Sequence, residues 1–215
     1  MDRKKKRPPR LSSSKRLTVC KAIDYFAENF KSTMKKVLAL CGSTRTQSAN
    51  LGIILYVKKI LSDEVELEIF NDLSALPHFN PDLDNDNAPE IVERFRDKVR
   101  NADGILICTP EYIFSLPGAL KNAIEWCVST TIFSQKPVAL ITASASGNLA
   151  HESLQLVMKT IYADLRKETQ LLIQGAKGKV DHNGTISHSA TAEQLQKLCL
   201  AFRTHLREPK AESIV

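Results

Sequence analysis

From Met34 onward the chain alternates between two hydrophobic periods. Val37–Cys41 is a continuous apolar run, as in a strand buried on both faces. Leu51, Ile54, Leu55 and Leu61 then share one helical face. Val65, Leu67 and Ile69 alternate with Glu64, Glu66 and Glu68, which predicts an edge strand with one wetter side. Ile91, Phe95 and Val99 recur at helical spacing behind Pro89. Ile105–Cys108 is another buried strand, and Pro117 can open a helix running to about Cys127. Val138–Ile141 predicts a fourth strand and Leu171–Ile173 a short fifth. Between them Leu154, Val157, Met158, Ile161 and Leu165 form a helical stripe. Leu195, Leu198, Cys199, Phe202 and Leu206 form the last helix. Strands that alternate with helices throughout predict an α/β fold: a doubly wound, five-stranded parallel sheet with helices on both faces.

Charge changes the picture at one end only. The 215 residues carry a formal net charge of +6. Residues 1–33 hold ten Lys and Arg against three Asp and Glu, whereas the remainder holds 20 against 21. The basicity belongs to the first segment, so the near-neutral body gives no reason to expect nucleic-acid binding. Residues 1–33 lack a sustained period and read as an extension, with a body at 34–208 and a short tail at 209–215. For the extension three readings stand: a basic import patch in Lys4-Lys5-Lys6-Arg7-Pro8, an organelle transit segment, or an unstructured leader. The apolar runs fall far short of the ~20 residues that a membrane helix needs. Cysteines 20, 41, 108, 127 and 199 are odd in number, widely spaced and without a C-x-x-C pair. They read as buried thiols of a cytoplasmic protein.

The chemistry should sit beyond the carboxyl ends of the strands, where ligands bind in such sheets. Three loops there are unusual. Gly42-Ser43-Thr44-Arg45-Thr46-Gln47-Ser48-Ala49-Asn50 offers hydroxyls, amides, backbone N–H groups and one cation at the start of a helix, a donor set suited to a dianionic phosphate. It matches neither G-x-G-x-x-G nor G-x-x-x-x-G-K-[ST]. The loop from Thr109 to Pro117 carries Pro110, Glu111, Tyr112 and Phe114, with aromatic surface beside polar backbone that a flat heteroaromatic ring can use. In Thr142-Ala143-Ser144-Ala145-Ser146-Gly147 small residues allow a ligand close to the backbone. Thr142 stands where a G-x-S-x-G elbow needs glycine, which speaks against a serine hydrolase.

Other constellations are weaker. Asp82, Asp84, Asp86 and Glu93 follow part of a calcium-loop pattern, but Asn87 replaces its glycine, and an acidic loop before the helix at Pro89 fits better. His182, in Asp181-His182-Asn183-Gly184, reads as turn surface. Trp126 reads equally as core or as subunit interface.

The stretch from about Met34 to Leu206 resembles the NADPH-dependent FMN reductases, a flavodoxin-like group that includes quinone, azo-dye and chromate reductases. The residues that carry this are Gly42-Ser43 with Arg45, Ser48 and Asn50, and above all Thr109-Pro110-Glu111-Tyr112 followed by Ser115-x-Pro117-Gly118-x-Leu120-Lys121-Asn122-Ala123-Ile124-Glu125-Trp126. The resemblance implies that Ser43, Arg45, Ser48 and Asn50 hold the FMN phosphate. It also implies that Pro110, Glu111 and Tyr112 line the isoalloxazine, with Ser144 to Gly147 closing over its other edge and Tyr112 near the acceptor. NADPH or NADH would be the co-substrate of a ping-pong reaction with a quinone-like small molecule. A homodimer or homotetramer is expected. The alternative is a non-catalytic, flavodoxin-like electron carrier or redox-responsive FMN-binding partner. The pattern departs from the group at Ile113, where many members have Asn, and after Gly147, where many have a second glycine.

Overall fold

The protein is described by a computed structural model covering residues 34–85 and 88–208. The basic segment 1–33, Asp86, Asn87 and the tail 209–215 lie outside the described residues, as do the expectations placed on them. In chain order the elements are β1 (Lys35–Cys41), α1 (Ala49–Leu61), β2 (Val65–Phe70), α2 (Glu90–Asn101), β3 (Gly104–Thr109), α3 (Gly118–Glu125), β4 (Pro137–Ser144), α4 (Asn148–Thr160), β5 (Asp164–Gln174) and α5 (Ser189–Arg207). The sheet order is β2-β1-β3-β4-β5, and every pairing is parallel. This is the flavodoxin arrangement, whose strand order reverses between β1 and β3.

Alternate residues of the central strands feed two cores. Leu38, Leu40, Ile105, Ile107 and Leu140 pack against α2, α3 and α4. Val37, Ala39, Leu106, Cys108 and Ile141 pack against α1 and α5. Burial on both faces is why β1, β3 and β4 are nearly unbroken apolar runs. The edges differ. β2 alternates buried and exposed positions as its sequence suggests. β5 is eleven residues long rather than three, because Asp164–Gln170 pairs with β4 despite its polar side chains. A register shift between Val138 and Leu140 accommodates that half-exposed edge. Leu165 therefore belongs to β5 and not to the preceding helical stripe. The buried face of α1 is also rotated from the expected one: Ile53, Ile54, Val57 and Leu61 are buried, while Leu55 is exposed.

The acidic loop before α2 holds the scaffold. The Arg96 guanidinium, itself buried, pairs with Asp84, donates to Glu93 at 2.7 Å and reaches the Trp126 carbonyl at 2.8 Å. Trp126 is core: fully buried, it packs edge-on against Phe79 at 5.2 Å and donates to the Pro77 carbonyl at 2.8 Å.

Candidate functional site

The loop after β1 is pinned by its own side chains. A Cβ at Gly42 would lie 2.2 Å from Thr109 Oγ1, so only glycine lets this loop leave the sheet beside β3. Ser48 caps α1 by accepting from the Asn50 N–H at 3.2 Å. The Asn50 side chain is spent inside the protein: its Nδ2 donates to the Ala143 carbonyl at 3.2 Å, and its Oδ1 accepts from the Cys108 thiol at 3.3 Å. One buried amide thus ties the start of α1 to the ends of β3 and β4. Cys41 donates to the Ser43 carbonyl at 3.4 Å. Burial raises both thiols above the ordinary range, Cys108 well above it, which makes them poor nucleophiles.

The loop after β3 is tethered from the other side. Glu111 accepts from the N–H groups of Gly147 and Ala150, each at 3.1 Å, and so caps α4 from a distant loop. Helix α4 has no capping side chain of its own, because Gly147 occupies the position before it. Beyond Glu111, Tyr112 and Ser115 exchange backbone hydrogen bonds at 2.9 and 3.0 Å around a two-residue turn. Ile113 and Phe114 form that turn with φ of 49° and 56°. Such turns favour Asn and Gly, and a β-branched residue there is strained. Asn at position 113 would relieve that strain.

These loops enclose a cleft of about 360 Å³ at the β1/β3 reversal, inside the roughly 300–1,000 Å³ typical of small-molecule sites. Ser43, Arg45, Ser48, Asn50, Pro110, Tyr112 and Ser144 all line it. Glu111 and Gly147 do not; they meet each other behind it. Sequence reasoning missed Gln47, Lys177 and His182, which also line the cleft. No carboxylate is among the lining residues. A cleft of about 320 Å³ beside β1 and β2 differs, carrying Glu66, Glu68 and Asp97 together with Lys36 and Lys98. Hydroxyls, a guanidinium, a helix N-terminus and one aromatic ring, with no competing anion, fit a phosphate-bearing heteroaromatic cofactor. Next to the cleft His151 Nδ1 lies 2.9 Å from Thr142 Oγ1, and burial lowers the His151 pKa.

Fold and cleft together define a flavodoxin-type protein with a cleft free of carboxylates at the strand-order reversal. The chain belongs to the NADPH-dependent FMN reductase family, which matches residues 35–175. It is therefore an oxidoreductase that works with FMN and a reduced pyridine nucleotide. It is 32% identical over 177 residues to an NAD(P)H:quinone oxidoreductase of Solanum tuberosum, covering 78% of this chain and 91% of that one. An NAD(P)H-dependent FMN reductase of Pseudomonas aeruginosa is 31% identical, with 80% and 95% covered. Among solved structures, the flavoenzyme NAD(P)H:(acceptor) oxidoreductase FerB of Paracoccus denitrificans superposes with a TM-score of 0.70 at 28% identity, covering 80% of this chain and 97% of that one. Among the described residues no helix is long and apolar enough to cross a membrane, and no cluster of three or more His, Cys, Asp or Glu is placed to hold a metal ion.

Proposed function

We propose that the protein transfers reducing equivalents from NADPH or NADH to a quinone or similar small oxidised acceptor, with FMN held in the cleft at the β1/β3 reversal. The observation that carries this reading is the convergence of Ser43, Arg45 and Ser48 with Pro110, Tyr112 and Ser144 in one carboxylate-free cleft. When bound, FMN supplies the hydride chemistry, so the side chains need only bind, orient and exclude water. Ser43 and Ser48 hydroxyls, the Arg45 guanidinium and the start of α1 would take the phosphate dianion. Asn50, its amide committed within the protein, would hold that loop in shape. Pro110 and Tyr112 would form one wall for the ring, and Ser144 with the backbone up to Gly147 the other. Glu111 would fix the spacing of those walls through its two bonds to the start of α4.

Nucleotide and acceptor would use the cleft in turn, which makes the kinetics ping-pong and puts Tyr112, about half exposed, at the acceptor position. The quinone assignment draws on the names of the Solanum and Arabidopsis relatives. A homodimer or homotetramer is consistent with the exposed Ile113, Phe114, Leu149, Leu156 and Tyr162. Four free thiols among the described residues suit the cytoplasm. The test is twofold: quenching of FMN fluorescence on titration with protein, and NADPH oxidation with a quinone. FMN binding tighter than riboflavin binding and quinone-dependent turnover are expected. Equal affinity for the two flavins, or turnover without the quinone at the same rate, would contradict the reading.

A further inference from the structure

One part of the cleft lining is contributed by the segment after β5, which the phosphate-loop reading does not use. Ala176, Lys177, Val180 and His182 line it. This wall is built into the fold at both ends. At its start, the Gly175 N–H donates to the Ala145 carbonyl at 3.1 Å, joining it to the loop after β4. At its far end, Asp181 accepts from the N–H groups of Asn183 and Thr185 at 2.9 and 2.8 Å, closing a turn. That turn lies directly on α1. A Cβ at Gly52 would sit 1.9 Å from the Asp181 carbonyl oxygen, and one at Gly184 would sit 2.9 Å from the Gly52 carbonyl oxygen. Gly184 also has φ of 87°, which glycine alone adopts without strain. A glycine inside a helix costs stability, and here it lets His182 stand beside the first turns of α1.

The consequence is electrostatic. Lys177 and His182 face the same cleft as Arg45, and none of the lining residues is acidic. The neighbouring carboxylates are turned away: Glu111 accepts from the start of α4, and Asp181 is turned into its own backbone and held below its usual pKa by the Thr185 N–H. A single phosphate dianion is already supplied by Arg45, two serines and a helix start. Lys177 adds a second cation to the cleft, and His182 an imidazole.

We propose that Lys177 and His182 form a phosphomonoester-recognition site, a further contact for a dianionic phosphate in this cleft. Lysine serves as a point charge for such a group, and an imidazole nitrogen adds a directed donor. The inference rests on the FMN reading above. Two ligands of that reading carry a phosphomonoester: FMN at its 5′ end, and NADPH at its 2′ position, which NADH lacks.

Both sources are separated with the full chain. Lys177→Ala, His182→Ala and the double variant are titrated with FMN and with riboflavin by fluorescence quenching. KM is then measured for NADPH and for NADH at saturating FMN. Lys197→Ala on α5 removes one positive charge outside the cleft and controls for net charge. If the wall serves the flavin, FMN affinity falls about tenfold in the Lys177 variant and further in the double variant, while riboflavin affinity holds. If it serves the nucleotide, KM for NADPH rises by a similar factor, while KM for NADH and FMN affinity hold. Unchanged FMN/riboflavin and NADPH/NADH ratios in the double variant would overturn the proposal even if the unmodified chain prefers FMN. Failure of the unmodified chain to prefer FMN would instead remove the cofactor reading on which the proposal stands.

Discussion

The loops after β1 and β3 border one cleft and are held in opposite ways. The first is tied internally: Asn50 is buried, and its amide joins the start of α1 to the ends of β3 and β4. The second is tied at its base by Glu111 and then runs out into solvent, where Ile113 and Phe114 are almost wholly exposed on a strained turn. A loop that holds an unchanging phosphate gains from rigidity. A loop that meets alternating substrates gains from exposed, adaptable surface. The comparison suggests that binding and turnover are assigned to different loops, and the loops can be perturbed separately.

The largest effect is expected at Asn50. Replacing it with Leu removes the side-chain bonds to the Ala143 carbonyl and the Cys108 thiol and should cost about 2–3 kcal/mol, read as a lower urea midpoint. FMN affinity should fall as well, since the phosphate loop loses its anchor. Glu111→Gln keeps the shape but removes the charge facing the start of α4. It should cost about 1–2 kcal/mol and lower turnover more than FMN affinity, because it loosens the second loop alone. Ile113→Asn runs the other way. Relief of the positive φ should stabilise the protein by about 1 kcal/mol, or roughly 2–4 °C in Tm. A lower Tm would mean that the Ile113 side chain is covered, as in a subunit interface.

The smallest effect concerns pH. Burial depresses the His151 pKa, so the fold favours the neutral imidazole beside Thr142. That contribution is present above the unfolded value of about 6.5 and is lost as pH falls through the lower folded value. His151→Gln should therefore flatten the decline in Tm below pH 6.5. An unchanged slope would assign the decline to other groups.

Much of this was legible in the sequence, for physical reasons that also explain the failures. β1, β3 and β4 announce themselves because burial on both faces demands apolar runs. β5 does not, because a half-exposed edge strand can be as polar as Asp164–Gln170 and still pair. The phosphate-loop donors are contiguous, so their chemistry can be read locally. The tethering role of Glu111 was not legible, because its partners are backbone N–H groups 36 and 39 residues away, which no side-chain pattern reveals. His182 looked like turn surface, and it is exposed in a turn, but the turn folds back onto α1. Gly52, a glycine in the first turn of an apolar helix, was the one local sign of that close approach.

The division between holding and working is tested most directly by NADPH oxidation with a quinone at rising FMN, for Arg45→Ala and Tyr112→Ala side by side. A charge-assisted contact is worth roughly 1.5–3 kcal/mol, so Arg45→Ala should weaken FMN binding by about 10- to 100-fold. Its turnover should nonetheless recover almost fully at saturating FMN, since the phosphate contact is the same in ground and transition states. Tyr112→Ala should stay slow, or change its acceptor preference, however much FMN is supplied. The opposite result, a slow Arg45 variant at saturating FMN and a rescued Tyr112 variant, would contradict the account and make Arg45 a contact for the nucleotide substrate.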